Sequence, residues 1–402
     1  MIPAPPATAV AEEEGTGVGA ALEDLRRAGL LRELRTIDSA PGARVLLDGR
    51  EVLLLCSNDY LGLAGHPAVR EAAADAARRW GAGAGASRLV SGNLALHERL
   101  EAELAAFKGT ETSLLFGSGY LANLGVIAAL AGRDDVVLSD ARNHASIVDG
   151  CRLARAETVV YDHGDLDALA GALRRTRGRR ALVVTDAVFS MDGDLAPLEG
   201  IVELARRHGA RVLVDEAHAT GVVGPGGRGL VAKLGLESEV DVVIGTLGKA
   251  LGSYGAFAAC TRQMAAYLLN SARTAIFSTA LPPPAAGAAL EALRLVREEP
   301  ALLERLHANA RTLREALAAH GLRIPSGCEP TMPIVPLMVG DPRAAMALCE
   351  AALAGGVFAQ AIRPPTVPAG TSRLRLVATA AHQETDLRAA AATLGAAVPD
   401  RG

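Results

Sequence analysis

The sequence predicts an α/β protein built on a mostly parallel central sheet flanked by helices. Seven short apolar runs, rich in Val, Leu and Ile, alternate with helical segments from residue 71 onward. Strands that are apolar along their whole length and separated by helices are typical of parallel sheets buried on both faces. The runs cover residues 112–116, 136–139, 158–161, 181–185, 211–215, 240–246 and 255–260.

The N-terminal part of the chain lacks this alternation. Residues 17–35 carry leucines at helical spacing with charges between them, which predicts a helix. Two β-like runs, 44–47 and 52–55, flank Asp48-Gly49, a pair that is typical of a two-residue hairpin turn. The first 16 residues are rich in Pro, Ala and Glu, and this composition predicts a disordered tail.

The C-terminal part changes character after the prolines at 282–284. Long Ala/Leu/Arg helices follow, with short strands near 332–338 and 372–377, which predicts a smaller α+β domain. We therefore expect four segments: a disordered tail (1–16), an N-terminal helix and hairpin (17–65), a large domain (66–284) and a small C-terminal domain (285–402).

Composition excludes several classes of function. The 41 basic and 45 acidic residues give a net charge of −4 and are spread along the chain, so neither nucleic acid nor a membrane surface is an expected partner. No apolar run reaches the roughly 18 residues that span a bilayer. The five cysteines are far apart, without a Cys-x-x-Cys pair, which favours a reduced cytoplasmic protein. No metal site is expected.

Two polar residues follow strand ends and suggest a chemistry. Asp215 closes one predicted strand, and Lys249 lies on a small-residue loop after another. Ligands of such sheets bind at the carboxyl ends of the strands. A lysine can form a Schiff base with pyridoxal phosphate (PLP), and a carboxylate beside the pyridine nitrogen favours its protonated form. A lone lysine after a strand is more often a solvated loop charge, so this prediction depends on Asp215 and Lys249 occurring together.

Other candidate residues lie at neighbouring strand ends. Gly119 and Tyr120, in a glycine turn between a strand and a helix, offer backbone amides to a phosphate, although such a turn also occurs without a ligand. His144 follows another strand and could stack on a flat cofactor or simply begin a helix. Ser190 and His218 are candidates for hydrogen bonds to the phenolic oxygen of the cofactor.

These motifs together resemble the α-oxoamine synthases in order and spacing, over roughly residues 20–395. Members of that family are PLP-dependent transferases of fold type I that condense an amino acid with an acyl thioester and release carbon dioxide. The motifs are Cys56-Ser57-Asn58-Asp59-Tyr60-Leu61-Gly62-Leu63, Asn143-His144-Ala145-Ser146, Phe189-Ser190-Met191-Asp192-Gly193, Asp215-Glu216-Ala217-His218 and Gly245-Thr246-Leu247-Gly248-Lys249.

The resemblance implies a role for each matching residue. Lys249 corresponds to the lysine that binds the cofactor, Asp215 to the partner of the ring nitrogen, and His144 to the histidine stacked on the ring. His218 and Ser190 correspond to residues near the phenolic oxygen. The remaining correspondences are Gly119, Tyr120 and Thr246 for the phosphate, Arg375 for the amino acid carboxylate, Arg32 and Thr366 for the substrate, and Ser278 and Thr279 for a neighbouring subunit's phosphate.

One C-terminal segment distinguishes branches of the family. Ala361-Ile362-Arg363-Pro364-Pro365-Thr366-Val367-Pro368-Ala369-Gly370-Thr371-Ser372-Arg373-Leu374-Arg375-Leu376 resembles the branch that joins L-alanine to a pimeloyl thioester. A branch that uses glycine and an acetyl thioester shares the earlier motifs, so it stays as the alternative. The resemblance also implies a homodimer, and it leaves open whether coenzyme A or a carrier protein holds the acyl group.

Two readings from other classes compete with a PLP enzyme. Asp215-Glu216-Ala217-His218 spells the DEAH box of nucleotide-driven helicases, which also requires an upstream Gly-x-x-x-x-Gly-Lys-Ser/Thr phosphate loop. The Gly-Lys pair of this chain, Gly248-Lys249, lies downstream and precedes Ala250, which argues against a helicase. A non-catalytic binding protein of the same fold is the other alternative, and the intact Lys249 and Asp215 count against it.

Overall fold

The computed structural model describes residues 17–398. The predicted disordered tail, residues 1–16, lies outside this described part of the chain, as do residues 399–402.

A seven-stranded sheet forms the centre of the molecule. Its strands are β3 (Thr112–Phe116), β4 (Val136–Asp140), β5 (Glu157–Tyr161), β6 (Ala181–Asp186), β7 (Arg211–Asp215), β8 (Val242–Thr246) and β9 (Ala256–Cys260). They are ordered β3-β9-β8-β7-β6-β4-β5. Strand β9 runs antiparallel to both of its neighbours, and the other six strands all run in one direction. The predicted mostly parallel sheet is confirmed, and each strand begins and ends within two residues of its expected position.

Helices cover both faces of this sheet. They are α2 (Pro67–Trp80), α3 (Ala95–Lys108), α4 (Gly119–Leu130), α5 (Ala145–Ala154), α6 (Leu166–Arg175), α7 (Leu198–His208), α8 (Leu230–Leu234), α9 (Arg262–Ser271), α10 (Arg273–Ile276) and α11 (Pro283–Glu298). Successive strand residues point to opposite faces. Val212 and Val214 therefore pack into one apolar core and Leu213 into the other. Both faces are buried, which explains why the strands lack polar alternation.

The C-terminal part folds around a second core. It contains α12 (Ala301–Ala319), β10 (Ile334–Gly340), α13 (Pro342–Ala354), β11 (Val357–Phe358), β12 (Ala361–Ile362), β13 (Ser372–Val377) and α14 (Glu384–Ala397). Strands β10 and β12 both pair antiparallel with β13. The predicted smaller α+β unit is present.

The N-terminal segment joins this small unit. The chain begins with α1 (Gly17–Arg27), followed later by the hairpin strands β1 (Arg44–Leu47) and β2 (Arg50–Leu54). Asp48 and Gly49 both have positive φ, as a type I′ turn requires. Strand β2 also pairs in parallel with β11, so the hairpin belongs to a sheet that the two ends of the chain build together.

The predicted N-terminal helix was too long. Helix α1 ends at Arg27, and residues 28–35 have no helical structure. Gly29 has a φ of +67°, a left-handed conformation that terminates a helix easily. The leucine spacing beyond Gly29 therefore does not reflect a helix.

The division between the large and small units differs from the expected boundary at residue 284. Helix α11 packs against α2 and α3, and its Leu293 and Val296 lie in the core under the central sheet. Leu302 and Leu306 of α12 belong to the same core, whereas Ala310 and later residues belong to the small-unit core. This packing favours a boundary inside α12, because one long helix spans both cores. Within residues 17–398, none of the helices is both long and apolar enough to cross a bilayer.

Candidate active site

The polar residues of the central sheet converge at one edge. Asp140, Asp186, Asp215 and Thr246 are the last residues of β4, β6, β7 and β8, which are parallel strands. The carboxyl ends of parallel strands meet at the same edge, so the sequence rule for such sheets predicts their convergence. We call Asp186, Asp215, His144, His218 and Lys249 the strand-end site.

Lys249 lies at this edge on the turn that joins β8 to β9. Its Nζ is 2.8 Å from Nε2 of His218. Burial and the positive charge of Arg375 lower the pKa of Lys249, Asp215 and Asp186 oppose the shift, and the result is a pKa of about 8. A pKa near 8 leaves an appreciable fraction of neutral amine at physiological pH, which a nucleophile or a general base needs.

Asp215 is held rigidly opposite this lysine. Its Oδ1 accepts a hydrogen bond of 2.8 Å from the amide of Ala217, and its Oδ2 accepts one of 2.6 Å from Nδ2 of Asn123. The same Nδ2 lies 2.9 Å from Oγ of Ser146, which in turn lies 2.7 Å from Nδ1 of His144. Buried polar groups connected in this way fix each other's orientation.

His144 begins helix α5 and keeps its ring in the site. Its Nδ1 accepts a hydrogen bond from the amide of Ser146, so it is also the N-cap of the helix. Its backbone amide donates to Oδ2 of Asp186 over 2.7 Å. Burial lowers the pKa of His144, which keeps the ring neutral at physiological pH. The two roles considered for this residue, helix start and position in the site, are therefore compatible.

A second buried carboxyl group lies beside Asp215. Asp186 has almost no exposed surface, and burial together with the charge of Asp215 raises its pKa well above the usual value. Like charges close together in a dry site favour protonation of one of them or the presence of a cation. The strand-end site therefore favours a positively charged ligand group between its acids.

Arg375 brings a positive charge to the same site from the small unit. Its Nε donates to the carbonyl of Ser190 over 2.5 Å, and its Nη1 donates to Oδ1 of Asn58 over 3.0 Å. Nη2 lies 3.3 Å from the hydroxyl of Tyr60. The partners of Arg375 among residues 17–398 are the uncharged Ser190, Asn58 and Tyr60, so its charge is available to an anionic substrate group.

The predicted phosphate turn lies beside β8. Ser118 caps helix α4 by accepting from the amide of Leu121, and the helix begins at Gly119. A Cβ placed on Gly119 would lie 4.0 Å from Cβ of Thr246, so the two predicted phosphate residues are neighbours. The side chain of Tyr120 points outward to Asp149, which leaves its backbone amide as the candidate ligand. A helix N-terminus with free amides is a favourable anion site.

Arg32 and Thr366 line a separate cavity of about 1040 Å³ at the junction of α1, α13 and β12. Arg363 also lines it and donates to the carbonyls of Gly29 and Leu31, so it holds the chain next to Arg32. Lys249 and Asp215 are not among the described residues that line this cavity. We call this cavity, which Arg32, Arg363 and Thr366 help to line, the arginine cavity.

Ser278 and Thr279 lie next to the residues that precede the predicted phosphate turn. They line a small cavity with Phe116 and Gly117 of the same chain. Their predicted contact with a neighbouring subunit stays a prediction.

Sequence reasoning gave no role to four residues of the site. Asn58 and Tyr60 belong to a motif of the family resemblance but have no predicted role, and Asn123 belongs to none of the motifs named above. Asp186 follows the strand 181–185, so the rule that singled out Asp215 could have found it. Asn58, Tyr60 and Asn123 had no such signal, because their contacts come from distant parts of the chain.

The described residues 17–398 contain no cluster of three His, Cys, Asp or Glu side chains that could bind a metal ion.

Comparison with known proteins decides the family. The family model for class I and II aminotransferases matches residues 50–394. An 8-amino-7-oxononanoate synthase from Anaeromyxobacter dehalogenans (strain 2CP-1 / ATCC BAA-258) is 54% identical over 383 residues, which cover 95% of this chain and 96% of that protein. This chain belongs to the class I and II aminotransferases and, within them, to the 8-amino-7-oxononanoate synthase family. A family member from Geobacter sulfurreducens (strain ATCC 51573 / DSM 12127 / PCA) is 52% identical over 376 residues, 93% of this chain and 95% of the relative.

Solved structures with the same fold include enzymes with other names. A serine palmitoyltransferase variant from S. paucimobilis, bound to PLP and myriocin, superposes with a TM-score of 0.90 at 34% identity over 95% of this chain and 96% of that chain. An 8-amino-7-oxononanoate synthase from Francisella tularensis superposes with a TM-score of 0.74 at 26% identity over 86% and 97% of the two chains. The predicted fold type I is confirmed, and the resemblance to α-oxoamine synthases is confirmed with it.

Proposed function

We propose that this chain catalyses the PLP-dependent decarboxylative condensation of L-alanine with a pimeloyl thioester. The products are 8-amino-7-oxononanoate, carbon dioxide and the free thiol carrier, a reaction of biotin biosynthesis. The observation that carries the proposal is the half-buried Lys249 amine, with a pKa of about 8, hydrogen-bonded to His218 and within the field of Asp215, in a chain that is 54% identical to a synthase of this name.

The residues of the strand-end site fit PLP. Asp215 is a buried carboxylate whose hydrogen bonds fix its direction, and Asp186 adds a second acid, so the site suits a protonated ring nitrogen. Helix α4 begins at Gly119 beside Thr246, which suits a phosphate. Lys249 would hold the cofactor covalently. The other residues proposed to hold it are His144, Ser190, His218, Tyr120, Gly119 and Thr246.

When bound, PLP supplies an electron-withdrawing ring that weakens the bonds at the Cα atom of the amino acid. The chain supplies the proton transfer and the orientation. Once the amine of alanine has displaced it, Nζ of Lys249, in its neutral form, would remove the Cα proton of alanine and return a proton at the end of the reaction. Asp215 would keep the ring nitrogen protonated, and His144, neutral because of its burial, would pack against the ring without adding charge.

Arg375 would bind the carboxylate of alanine until it leaves as carbon dioxide. Its guanidinium is already oriented by Ser190 and Asn58, so little conformational entropy is lost when the substrate binds. This fixed geometry supports a bidentate interaction with a carboxylate.

Arg32 and Thr366 are the proposed contacts of the acyl substrate. Both line the arginine cavity, and Arg363 adds a second positive charge there. A positively charged cavity suits an acyl group with a terminal carboxylate, or the phosphates of its carrier. Coenzyme A and a carrier protein both remain candidates for that carrier.

A homodimer is part of the proposal. Leu89, Val90, Tyr254 and Phe277 expose more than half of their surface and are candidates for the interface between two subunits. Size-exclusion chromatography with light scattering should give about twice the chain mass of 41.3 kDa. A mass of one chain at micromolar concentration would contradict the homodimer without affecting the chemistry.

Glycine C-acetyltransferase (2-amino-3-ketobutyrate ligase), or another α-oxoamine synthase, is the alternative function. Serine palmitoyltransferase superposes better than the 8-amino-7-oxononanoate synthase structure, with TM-scores of 0.90 and 0.74, so the fold does not discriminate among substrates. The higher sequence identity to the named synthases favours L-alanine and the pimeloyl group.

Steady-state assays test this choice directly. Alanine, glycine and serine should be combined in turn with pimeloyl-CoA and acetyl-CoA, with product identified by mass spectrometry. We expect the highest kcat/KM for alanine with pimeloyl-CoA. A preference for glycine with acetyl-CoA would show that the alternative is correct, and the Lys249→Ala chain supplies the background rate.

A further inference from the structure

A continuous line of hydrogen bonds joins Arg375 to Lys249. Nη2 of Arg375 lies 3.3 Å from the hydroxyl oxygen of Tyr60, which lies 2.6 Å from Nδ1 of His218. Nε2 of His218 lies 2.8 Å from Nζ of Lys249. Tyr60 has no exposed surface, so its hydroxyl bonds to these neighbours instead of to bulk water.

The direction of the first two bonds follows from their chemistry. A guanidinium has only donors, so the Tyr60 oxygen accepts from Arg375. The single hydroxyl proton of Tyr60 has two acceptors in reach, Nδ1 of His218 at 2.6 Å and Oδ1 of Asn58 at 3.4 Å. The shorter contact has the length of a strong hydrogen bond and the longer one does not. Oδ1 of Asn58 instead accepts from Nη1 of Arg375 at 3.0 Å.

The direction of the last bond follows from the charge of His218. Burial is the main cause that holds the pKa of His218 well below its usual value, and the positive charge of Arg375 acts in the same direction, so the ring is neutral. A neutral imidazole carries one proton, and a ring that accepts at Nδ1 carries that proton on Nε2. Nε2–H then donates to the lone pair of Lys249, which requires a neutral amine.

We propose that Tyr60 is a positioning residue that keeps the proton of His218 on Nε2, directed at Lys249, and so favours the neutral, reactive form of the lysine. The inference deepens the proposed function, on which it rests for the role of Lys249 as a base. Arg375 has two roles in this arrangement. It binds the substrate carboxylate, and its hydrogen bond to Tyr60 sets the direction of the hydrogen bond from Tyr60 to His218.

The charged and titratable groups around Lys249 act in opposite senses. Asp215 and Asp186, from the ends of β7 and β6, favour the ammonium form, while burial and Arg375, from β13, disfavour it. His144, at the start of α5, faces the same space, where burial lowers its pKa and the charge of Asp215 opposes that shift. The hydrogen bond from His218 therefore favours the neutral form of the Lys249 amine.

The first test is the tautomer of His218 in the full-length chain, with and without PLP. Long-range ¹H–¹⁵N correlation spectra of histidine-labelled protein distinguish an Nε2–H ring from an Nδ1–H ring, and the His218→Gln spectrum assigns the signal. We expect the Nε2–H form. An Nδ1–H ring in the unmodified chain would overturn the proposal, whatever any variant does.

The second test compares Tyr60→Phe with Tyr161→Phe. Tyr161 is also buried, and it lies on β5, outside the line of hydrogen bonds to Lys249, so it is a matched control. Without the Tyr60 proton, His218 can carry its own proton on Nδ1 and accept from a Lys249 ammonium. The apparent pKa of Lys249, measured as the pH dependence of its labelling by an amine reagent in the PLP-free chain, should rise by roughly 0.5–1 unit.

Kinetics separate this role from support of Arg375. Tyr60→Phe should lower kcat while the KM for alanine changes little, because Ser190 and Asn58 still hold Arg375. Asn58→Ala should raise that KM and leave the His218 tautomer unchanged.

Each outcome has a definite meaning. If neither the His218 tautomer nor the pKa of Lys249 changes in Tyr60→Phe, Tyr60 contributes only packing contacts and the proposal is overturned. If Tyr60→Phe does not fold, the tautomer of the unmodified chain and of Asn58→Ala still decides. A chain that makes no product from pimeloyl-CoA but shows the expected tautomer and pKa shift would contradict the proposed function and not this inference.

Discussion

The strand-end site and the arginine cavity are built in different ways. Asp215, Asp186 and Lys249 lie at the ends of strands or just after them, where the backbone of one sheet fixes their positions. Arg32 lies on an exposed, irregular segment, and Arg363 holds that segment across 332 positions of the sequence. The first site depends on a repeated local pattern, and the second depends on how the two ends of the chain pack together.

The side chains of the two sites also differ in their exposure to solvent. Asp186, Asp215 and His218 of the strand-end site are buried, and hydrogen bonds with neighbouring residues fix the orientation of the site. Arg32 is exposed, and solvent screens its charge. We therefore expect substitutions at the strand-end site to affect the chemical step strongly, and those at the arginine cavity to affect substrate affinity moderately.

The largest effect is expected for Lys249→Ala at the strand-end site. Without its amine, the chain should lose the near-visible absorbance of covalently held PLP and more than about 1000-fold in kcat. Absorbance spectra before and after adding L-alanine, with product assays, measure both. Lys233→Ala, which removes an exposed lysine paired with Glu329, is the control and should keep full activity. An unchanged spectrum in Lys249→Ala would rule out the lysine assignment.

Asp215→Asn should be next in size. The amide preserves the shape of the side chain but removes the charge that would hold the ring proton, so we expect kcat to fall roughly 100- to 1000-fold. Asp241→Asn is the matched control. Asp241 directly precedes β8, at the end of that strand away from the site, and its side chain accepts a hydrogen bond from the amide of Val212. Equal losses in both variants would mean that the effect is on folding, which thermal unfolding would also detect.

Arg375→Lys tests the residue that links the two units. Lysine keeps the charge but loses the planar fork, so the KM for alanine should rise roughly 10- to 100-fold, the cost of one or two charged hydrogen bonds. Arg388→Lys changes an exposed arginine paired with Glu384 and should behave as the unmodified chain. If Arg375→Lys instead lowered only kcat, the carboxylate contact would have to be assigned elsewhere.

Arg32→Ala at the arginine cavity should have the smallest effect. The KM for pimeloyl-CoA should rise roughly 2- to 5-fold at low salt, and the difference should shrink as ionic strength increases. Arg35→Ala is the control, because the charge of Arg35 is already paired with Glu350. A large fall in kcat for Arg32→Ala would contradict the proposed contrast between the two sites.

The predictable part of the fold and site followed from two local patterns. The parallel sheet, the hairpin turn at Asp48-Gly49 and the strand-end positions of Asp215 and Lys249 came from apolar runs and the residues that follow them. The length of α1 and the boundary near residue 284 did not follow, because Gly29 ends the helix and α11 packs under the large sheet. The exposed residues 28–35 have no hydrophobic periodicity from which their position in the fold could be predicted.

The sequence by itself determined the sheet, the lysine, its acid and the family, because each depends on residues close together in the chain or on ordered motifs. Only the tertiary structure showed that Tyr60, from the N-terminal segment, and Arg375, from the last strand, complete a line of hydrogen bonds to Lys249. Only the packed chain could show this, because hydrogen bonds between residues up to 315 positions apart leave no local pattern. The direction of those bonds, and with it the protonation of the lysine, is a property of the packed protein.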